Sequence, residues 1–233
     1  MRIEANIAPV AALFAEPSRA AMLSVLLDGR ALPAGELANL AGISPTAASA
    51  HLAKLIDGGL LAMEAEGRHR YYRLANNGVA QVIEELSLLT KAPAIFRKPP
   101  LSSAARALRQ ARSCYDHLAG EVAVGIAIAL EGRGWLVRGE GKRYEIENKE
   151  GRAWFARNGV NFEMIKPGRY GFARQCLDWT ERRPHLAGPV GARLFAHWCE
   201  TGWLERDNCH PRLVKLTALG RRSLRNELGL SFG

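Results

Sequence analysis

Apolar positions recur with helical spacing in three short stretches near the start of the chain, and glycines separate these stretches. The first predicted helix begins at Glu16, and the second covers 33–41. Gly42 then makes a tight turn into a third helix over 45–57, which Ser44 can cap. Two helices joined by such a turn are typical of a helix-turn-helix motif.

The third helix has one apolar and one polar face, and a predicted hairpin follows it. The runs 60–63 and 71–74 have strand character, and the hairpin carries Arg68, His69 and Arg70. A polar helix face beside a basic hairpin favours a protein that inserts the helix into the major groove and lays the wing along the phosphates. The predicted DNA-binding residues are Ser44, Thr46, Ala47, Ser49, Ala50, Lys54, Arg68, His69, Arg70 and Tyr72.

Several stretches of this region resemble one known family. They are 15–19, 36–38, 44–55, 59–60 and 67–74. Together they resemble the ArsR-type (ArsR/SmtB) winged helix-turn-helix repressors. The resemblance implies a bacterial homodimer that binds operator DNA and leaves it when an inducer binds. It also implies a dimer interface made by the first and last helices of the domain, here 7–14 and 79–89.

The chain departs from that family in its metal ligands and in its length. Many members bind thiophilic metals through two cysteines in the helix before the recognition helix, but 34–40 contains no cysteine. Others use Asp and His on the last dimer helix, whereas 76–89 contains only Glu84 and Glu85 as ionisable residues. A typical member ends near residue 100, and this chain continues to residue 233.

Length and composition predict two domains. The 233 residues are 48% hydrophobic, which is enough for two modest cores. We predict a winged helix-turn-helix DNA-binding and dimerisation domain over 1–90, a proline-rich linker over 91–101, and a C-terminal sensor or effector domain over 102–233. The fold class is mainly α with small β-hairpins (α+β).

Helix, glycine-leucine, hairpin, glycine and helix follow one another three times, at 52–86, 122–158 and 192–228. This internal repetition predicts that the C-terminal domain contains two degenerate winged-helix halves. The alternative is that helix–hairpin–helix is a common arrangement in small domains, since few residues are identical among the three units.

The net charge of +9 lies in the second part of the chain. Residues 1–90 hold 7 Lys and Arg against 9 Asp and Glu, and the remainder holds 25 against 14. Either the second domain also touches DNA phosphates, which we favour, or its arginines are solvated surface around an anionic inducer site.

All four cysteines and four of the six histidines follow the linker. We predict a helix from about residue 102 to 118, which would place Cys114 and His117 one turn apart. Such donors suit zinc or a trivalent metalloid as inducer, and the alternative is buried core thiols. Longer ArsR-type regulators carry segments similar to 114–120 and 184–188, and that resemblance favours Cys114, Asp116, His117, Cys176, Asp178 and His185 as ligands. Weaker candidates are His197, Cys199, Cys209 and His210.

The leading hypothesis is a cytoplasmic homodimeric repressor that an inducer releases from double-stranded operator DNA. The inducer would be a metal, a metalloid, a thiol-reactive compound or a small organic ligand, and Trp179 and Trp198 could line a pocket for the last. One alternative is an architectural DNA-binding protein without an inducer. The other is a thiol enzyme using Cys114 or Cys176, although the chain has no Walker loop, Gly-x-Ser-x-Gly or His-Glu-x-x-His motif. No apolar run is long enough to span a membrane, so we expect no membrane partner.

Overall fold

A computed structural model describes residues 6–66, 69–89 and 103–232. It divides into two compact units, unit 1 (Met1–Leu89) and unit 2 (Thr90–Gly233). Arg68 and the predicted linker 91–101 lie outside the described residues.

Unit 1 is a small helical domain with one three-stranded antiparallel sheet, in the strand order β1-β3-β2. Its elements are α1 (Ala8–Phe14), α2 (Pro17–Val25), a 3-10 turn (Leu26–Asp28), β1 (Leu32–Pro33), α3 (Ala34–Ala41), α4 (Pro45–Asp57), β2 (Leu61–Glu66), β3 (His69–Leu74) and α5 (Asn77–Leu89). This is a winged helix-turn-helix fold, with α3 and α4 as the motif and β2–β3 as the wing.

Local sequence signals account for the helix boundaries of the motif. Gly42 adopts a left-handed conformation with φ of 68° and ends α3, which makes the tight turn before α4. The Ser44 side chain accepts a hydrogen bond from the N–H of Ala47 at 3.2 Å, and Pro45 occupies the first helical position. The apolar face of α4, with Leu52 and Leu55 fully buried, packs into the core of unit 1.

Two helices of unit 1 leave apolar side chains on the surface. In α1, which has no buried residue, Val10 is 44% exposed. In α5, Val82 and Leu86 are exposed to a similar extent, and Leu89 is 77% exposed. These helices correspond to the two that the family resemblance assigns to a dimer interface.

Unit 2 alternates short hairpins with helices. Its elements are α6 (Ser103–Gln110), β4 (Arg112–Cys114), β5 (His117–Ala119), α7 (Glu121–Gly132), β6 (Val137–Arg138), β7 (Arg143–Glu145), α8 (Lys149–Arg157), β8 (Ala173–Leu177), β9 (Pro184–Ala187), α9 (Gly188–Glu200), β10 (Leu204–Arg206), β11 (Val214–Leu216) and α10 (Ala218–Leu228). The predicted stretches 122–158 and 192–228 each contain helix, hairpin and helix.

The structure shows a second hairpin before each of these stretches, so unit 2 consists of two similar halves. The first half is β4-β5-α7-β6-β7-α8, and the second is β8-β9-α9-β10-β11-α10. Strands of one half pair with strands of the other. The leading strand β8 pairs with β7 of the first half, and β4 meets β11 of the second half through a bridge between Arg112 and Leu213. The leading hairpin β8–β9 therefore extends β6–β7 into a four-stranded sheet, whereas β4–β5 and β10–β11 remain two-stranded sheets that meet at the Arg112–Leu213 bridge.

The predicted helix over 102–118 is wrong beyond residue 110. α6 ends at Gln110, and Cys114 and His117 are opposite partners in a β-hairpin whose two-residue turn has Tyr115 at φ of 61°. Contacts with a segment distant in sequence favour the strand over the helix here. The N–H of Ser113 donates to the carbonyl of Arg212 at 2.8 Å. Helical propensity within the segment could not reveal that partner.

The core of unit 2 is aromatic. Trp154, Phe155 and Phe195 are fully buried, and the Trp198 indole N–H donates to Asn158 Oδ1 at 2.8 Å. Trp198 is 2% exposed, so it is a core residue and not the predicted wall of a ligand pocket.

No single helix among the described residues is long and apolar enough to cross a membrane. The sharply bent pair of Ala8–Phe14 and Pro17–Asp28 meets that test by length and composition only.

Gly120 gives a test of the packing at the end of α6. Its φ is +93°, and a Cβ there would lie 2.6 Å from the carbonyl oxygen of Arg109. We expect Gly120→Ala to lower the free energy of unfolding of unit 2 by about 2 kcal/mol or more, because the backbone is strained and the contact is too short. Tryptophan fluorescence in a denaturant titration measures this, since all five tryptophans belong to unit 2.

The matched control is Gly132→Ala in α7, where a Cβ meets nothing within 4 Å. Equal stability of the two variants would contradict the packing described for Gly120.

Candidate metal centre and DNA-binding surface

Four of the predicted ligands come together in unit 2. Cys114 and His117 face each other across the β4–β5 hairpin, and Cys176 and His185 are partners across β8–β9. One ligand atom from each of the four lies within 4.8 Å of all the others. Each half of unit 2 thus contributes one thiol and one imidazole, and we call this group the Cys/His cluster.

The two imidazoles of the cluster are buried and oriented. His117 and His185 are each 1% exposed, and their Nε2 atoms lie 3.1 Å apart. Nδ1 of His117 lies 2.9 Å from a carboxylate oxygen of Asp116. This contact fixes the ring with Nε2 turned toward the cluster, as in metal-bound histidines backed by a carboxylate. Burial opposes protonation of His117, but the hydrogen bonds to Asp116 and Cys114 raise its pKa overall.

Asp178 is a buried carboxylate directly behind the cluster. Nη2 of Arg112 donates to both of its oxygens, at 3.0 and 2.9 Å, and the Gly120 N–H donates at 2.8 Å. The N–H and hydroxyl of Thr180 donate at 2.9 and 2.7 Å. Burial alone would raise the pKa of Asp178, but the charge of Arg112 and the hydrogen bonds from Thr180 and Gly120 outweigh it and hold this pKa well below its usual range. Asp178 is therefore ionised and lies 3.7 Å from Nδ1 of His185.

The Cys114 thiol is protonated at neutral pH when no metal competes. A hydrogen bond with Cys176, together with burial, raises the pKa of Cys114 to about 11. Burial lowers the pKa of His185, so this imidazole is neutral and can act as a ligand. All four cysteines of the chain lie among the described residues, and all are thiols rather than disulfides.

The donor set fits a divalent ion of the zinc class. Zinc takes four nitrogen or sulfur ligands in a tetrahedral arrangement, and two thiolates would balance its charge. Nδ1 of His185 is a buried atom without a hydrogen-bond partner, which leaves it for the Asp178 carboxylate once Nε2 is a ligand. Because the cluster has only two thiols, it suits a divalent ion better than a thiol-demanding trivalent metalloid.

The weaker sequence candidates lie elsewhere. Within the described ranges, the Cys/His cluster is the one group of three or more such side chains with metal-site spacing. Cys209 is exposed, and Nδ1 of His210 contacts Asp207 at 2.9 Å. Of the six favoured residues, Asp116 and Asp178 lie behind the histidines and not among the four clustered donors.

Most of the predicted DNA-binding residues are exposed in unit 1. Exposed members on α4 and its cap, and on the wing, are Ser44, Thr46, Ser49, Ala50, Lys54 and Arg70, whereas Ala47 is half-buried. The Ser49 hydroxyl donates to the carbonyl of Pro45 at 3.0 Å. Tyr72 is 9% exposed and belongs to the core, which does not fit the predicted phosphate contact. Arg68 and the side chain of His69 are outside the described part of the chain.

A buried arginine braces the recognition helix. Nε and Nη2 of Arg19 donate to the carbonyls of Leu13 and Ala12, at 2.9 and 2.7 Å, at the end of α1. Nη1 lies 3.5 Å from Nδ1 of His51 on α4, and His51 also lies 3.5 Å from a carboxylate oxygen of Glu16. These contacts connect the α1–α2 junction with the helix that carries the polar face.

Comparisons with known proteins agree with this architecture. Residues 14–64 match the helix-turn-helix domain family. The uncharacterized HTH-type transcriptional regulator YdfF of Bacillus subtilis is 42% identical over 226 residues, which cover 97% of this chain and 98% of YdfF. The HTH-type transcriptional regulator CmtR of Mycobacterium tuberculosis is 36% identical over 83 residues, covering 36% of this chain and 70% of CmtR. The chain belongs to the HTH-type transcriptional regulators.

Solved structures similar to this regulator cover its N-terminal part. One is the homodimeric winged helix-turn-helix domain of a possible ArsR-family regulator from Mycobacterium bovis, with 31% identity, a TM-score of 0.34, and coverage of 36% of this chain and 76% of that chain. Another is the cadmium metal-sensor CMTR from Mycobacterium tuberculosis, with 33% identity, a TM-score of 0.31, and coverage of 38% and 96%. The match to YdfF, in contrast, includes unit 2.

The sequence contained a signal for the Cys/His cluster that the spacing of the cysteines and histidines alone did not reveal. The pattern Ala-Arg-x-Cys-x-Asp, completed by His-Leu-Ala-Gly, begins at Ala111 and again at Ala173, with a longer loop in the second copy. Aligning these copies identifies the two cysteine–histidine hairpins as equivalent. It also singles out Arg112 and Gly120, which sequence reasoning did not select and which bind Asp178.

The depressed pKa of Asp178 makes the stability of the regulator's second unit pH-dependent. The stabilisation from ionised Asp178 is fully present above the unfolded-state pKa of about 4 and decreases as pH falls below it. At neutral pH, Asp178→Asn should lower the free energy of unfolding by about 3–5 kcal/mol, because it leaves Arg112 buried without its partner.

Denaturant titrations followed by tryptophan fluorescence between pH 7 and pH 3 test this. The stability difference between wild type and Asp178→Asn should shrink at the acidic end. Glu140→Gln, which changes an exposed carboxylate in the β6–β7 turn, is the control. A difference that is constant across this pH range would argue against an ionised Asp178.

Proposed function

We propose that this regulator is a homodimeric repressor whose operator binding is controlled by a divalent metal ion of the zinc class, bound at the Cys/His cluster. The observation that carries the proposal is the convergence of two thiols and two imidazoles within 4.8 Å. These donors come from hairpins far apart in sequence, and two buried or hydrogen-bonded carboxylates stand behind them. Such outer carboxylates orient metal-bound histidines and tune their affinity.

The proposed DNA-binding surface is the polar face of α4 with the wing. Thr46 and Ser49 would hydrogen-bond to bases, while Ala47 and Ala50 would pack on thymine methyl groups. Lys54 and the wing residues Arg68, His69 and Arg70 would hold the phosphate backbone, and Ser44 would lie at the helix N-terminus beside it. We expect the protein to act in the cytoplasm, on operator DNA.

Dimerisation is supported by the exposed apolar side chains on α1 and α5. Val10, Val82, Leu86 and Leu89 lie on helices of one small domain. Apolar surface of this kind is typical of a contact with another subunit. A two-fold dimer would present two copies of α4 to successive major grooves, about one helical turn apart. Metal binding would shift the dimer away from that spacing and release the DNA.

A divalent metal is a more suitable inducer than the other candidates. Two thiolates and two neutral imidazoles satisfy four tetrahedral positions, which leaves no open position for a substrate or an organic ligand. Within the family, the relative CMTR is named as a cadmium metal-sensor. Its match is confined to about the first third of this chain, so it supports metal response in general and not the position of the site.

Substitutions in unit 1 test the DNA-binding surface. Arg70→Ala should weaken binding to operator and scrambled duplexes alike and reduce the slope of log K against log salt by about 1, because one phosphate contact is lost. Ser49→Leu should instead remove the preference for the operator. Fluorescence anisotropy on labelled DNA from directly upstream of the regulator's own gene measures both.

Arg73→Ala is the control for the wing, because Arg73 lies on the same strand but pairs with Glu64. An unchanged salt slope in Arg70→Ala would exclude Arg70 from the interface. Steep salt dependence without any sequence preference in the wild type would favour the architectural alternative.

If a metal controls operator binding, the same protein must both bind the metal and release the DNA. Co(II) should give the visible absorption of a tetrahedral site with thiolate ligands, and Zn(II) should weaken operator binding about 10-fold or more. Cys176→Ser should abolish the thiolate spectrum and the release while DNA binding without metal stays normal. Cys209→Ser, which removes an exposed thiol outside the cluster, should behave as the wild type.

Two outcomes would contradict this. A wild-type protein that binds no Co(II) would remove the metal site. A protein that binds Co(II) at the cluster but holds operator DNA equally well with and without Zn(II) would make the site structural and leave the inducer to be sought elsewhere.

A further inference from the structure

The Asp178 carboxylate lies between the Cys/His cluster and the last turn of α6. We propose that the Arg112–Asp178 pair transmits the metal state of the cluster to α6, so that metal binding stabilises this helix, with Arg112 as the positioning residue. This inference rests on the proposed metal site and adds the route by which its occupancy leaves the site.

The first link is the contact between His185 and Asp178. Nδ1 of His117 lies 2.9 Å from the Asp116 carboxylate, and the Nε2 atoms of the two histidines lie 3.1 Å apart. Nδ1 of His185 lies 3.7 Å from the Asp178 carboxylate and has no hydrogen-bond partner there.

A metal at the cluster would change this contact. A neutral imidazole that uses Nε2 as a ligand carries its proton on Nδ1, which in His185 is the atom that faces Asp178. This N–H would donate to the Asp178 carboxylate, which adds a hydrogen bond and holds Asp178 more firmly.

Arg112 and Gly120 connect Asp178 with the end of α6. Arg112, which binds both oxygens of Asp178, also donates from Nη1 to the carbonyl of Leu108 at 3.1 Å. Gly120, whose N–H donates to Asp178, lies so close to α6 that a Cβ would meet the carbonyl oxygens of Arg109 and Gln110 within 3 Å. The Leu108 carbonyl in the last turn of α6 is thus bound by the arginine that binds Asp178, and Gly120 packs against the next two carbonyls.

The helix α6 is largely exposed and is the first described element of unit 2. Its described side chains at 103 and 106–110 are exposed or half-exposed, so little burial stabilises the helix apart from the contacts at its C-terminal end. It begins at Ser103, directly after the stretch 90–102 that joins the two units in sequence. A change in the stability of α6 therefore affects the helix that directly follows the stretch of chain leading from the DNA-binding unit.

The second half of unit 2 offers an internal control. Arg174 is at the position equivalent to Arg112, but the described residues before it, 158–172, form turns and not a helix. The residue at the position equivalent to Asp178 is Asp116, and its side chain is 53% exposed. Among the described residues, only the first half therefore has a helix directly before its leading hairpin, and the Arg112–Asp178 pair contacts the end of that helix.

Hydrogen–deuterium exchange on the full-length protein tests the proposal, with and without Zn(II). We expect amides within 103–110 to exchange at least about 10-fold more slowly with Zn(II) in the wild type. Arg174→Met should retain this protection. Arg112→Met should lose it while its Co(II) spectrum still reports two thiolate ligands, and Arg112→Lys, which retains the charge, should restore part of it.

Each failure has a distinct signature. Absence of a Co(II) spectrum in the wild type would refute the metal site itself. A wild type that binds Co(II) but whose α6 amides exchange at the same rate with and without Zn(II) would overturn the transmission route alone. That comparison needs no variant, so it decides the question even if Arg112→Met does not fold. Equal loss of protection in Arg174→Met and Arg112→Met would remove the specific role of Arg112.

Discussion

Unit 2 depends on one buried negative charge. An ionised carboxylate inside a protein is stable only when donors surround it, and Asp178 receives hydrogen bonds from Arg112, Gly120 and Thr180. Arg112 and Gly120 belong to the first half of unit 2, whereas Asp178 and Thr180 belong to the second. The charge therefore fixes the two halves against each other, and the four donors of the Cys/His cluster converge as a consequence.

The duplicated pattern has produced two unequal environments for the same residue types. Asp116 is half-exposed and contacts its neighbour His117 at 2.9 Å, whereas Asp178 is fully buried and stands 3.7 Å from His185. Because of these unequal environments, the two histidines have different roles in the proposed site. Asp116 orients His117 permanently, and His185 can respond to a ligand. In the proposed metal site, this asymmetry would connect the cluster to a helix.

The two units contribute different parts of the proposed function. Unit 1 provides an exposed polar helix face, a basic wing and apolar surface for a second subunit, which are the features of its family. Unit 2, which YdfF shares over nearly its whole length, provides thiols and imidazoles. The cysteine and histidine donors that cluster in the described structure belong to unit 2, so the proposed control by metal is assigned to this unit.

The sequence by itself determined the winged helix-turn-helix unit, because its boundaries rest on local signals such as the Gly42 turn and the Ser44 cap. It also indicated which cysteines and histidines to consider, through residue type and resemblance. Only the tertiary structure decided that Cys114 and His117 lie on a hairpin and meet Cys176 and His185, and that Tyr72 and Trp198 are core residues. The physical reason is that short strands are stabilised by partners distant in sequence, and local propensity contains no information about those partners.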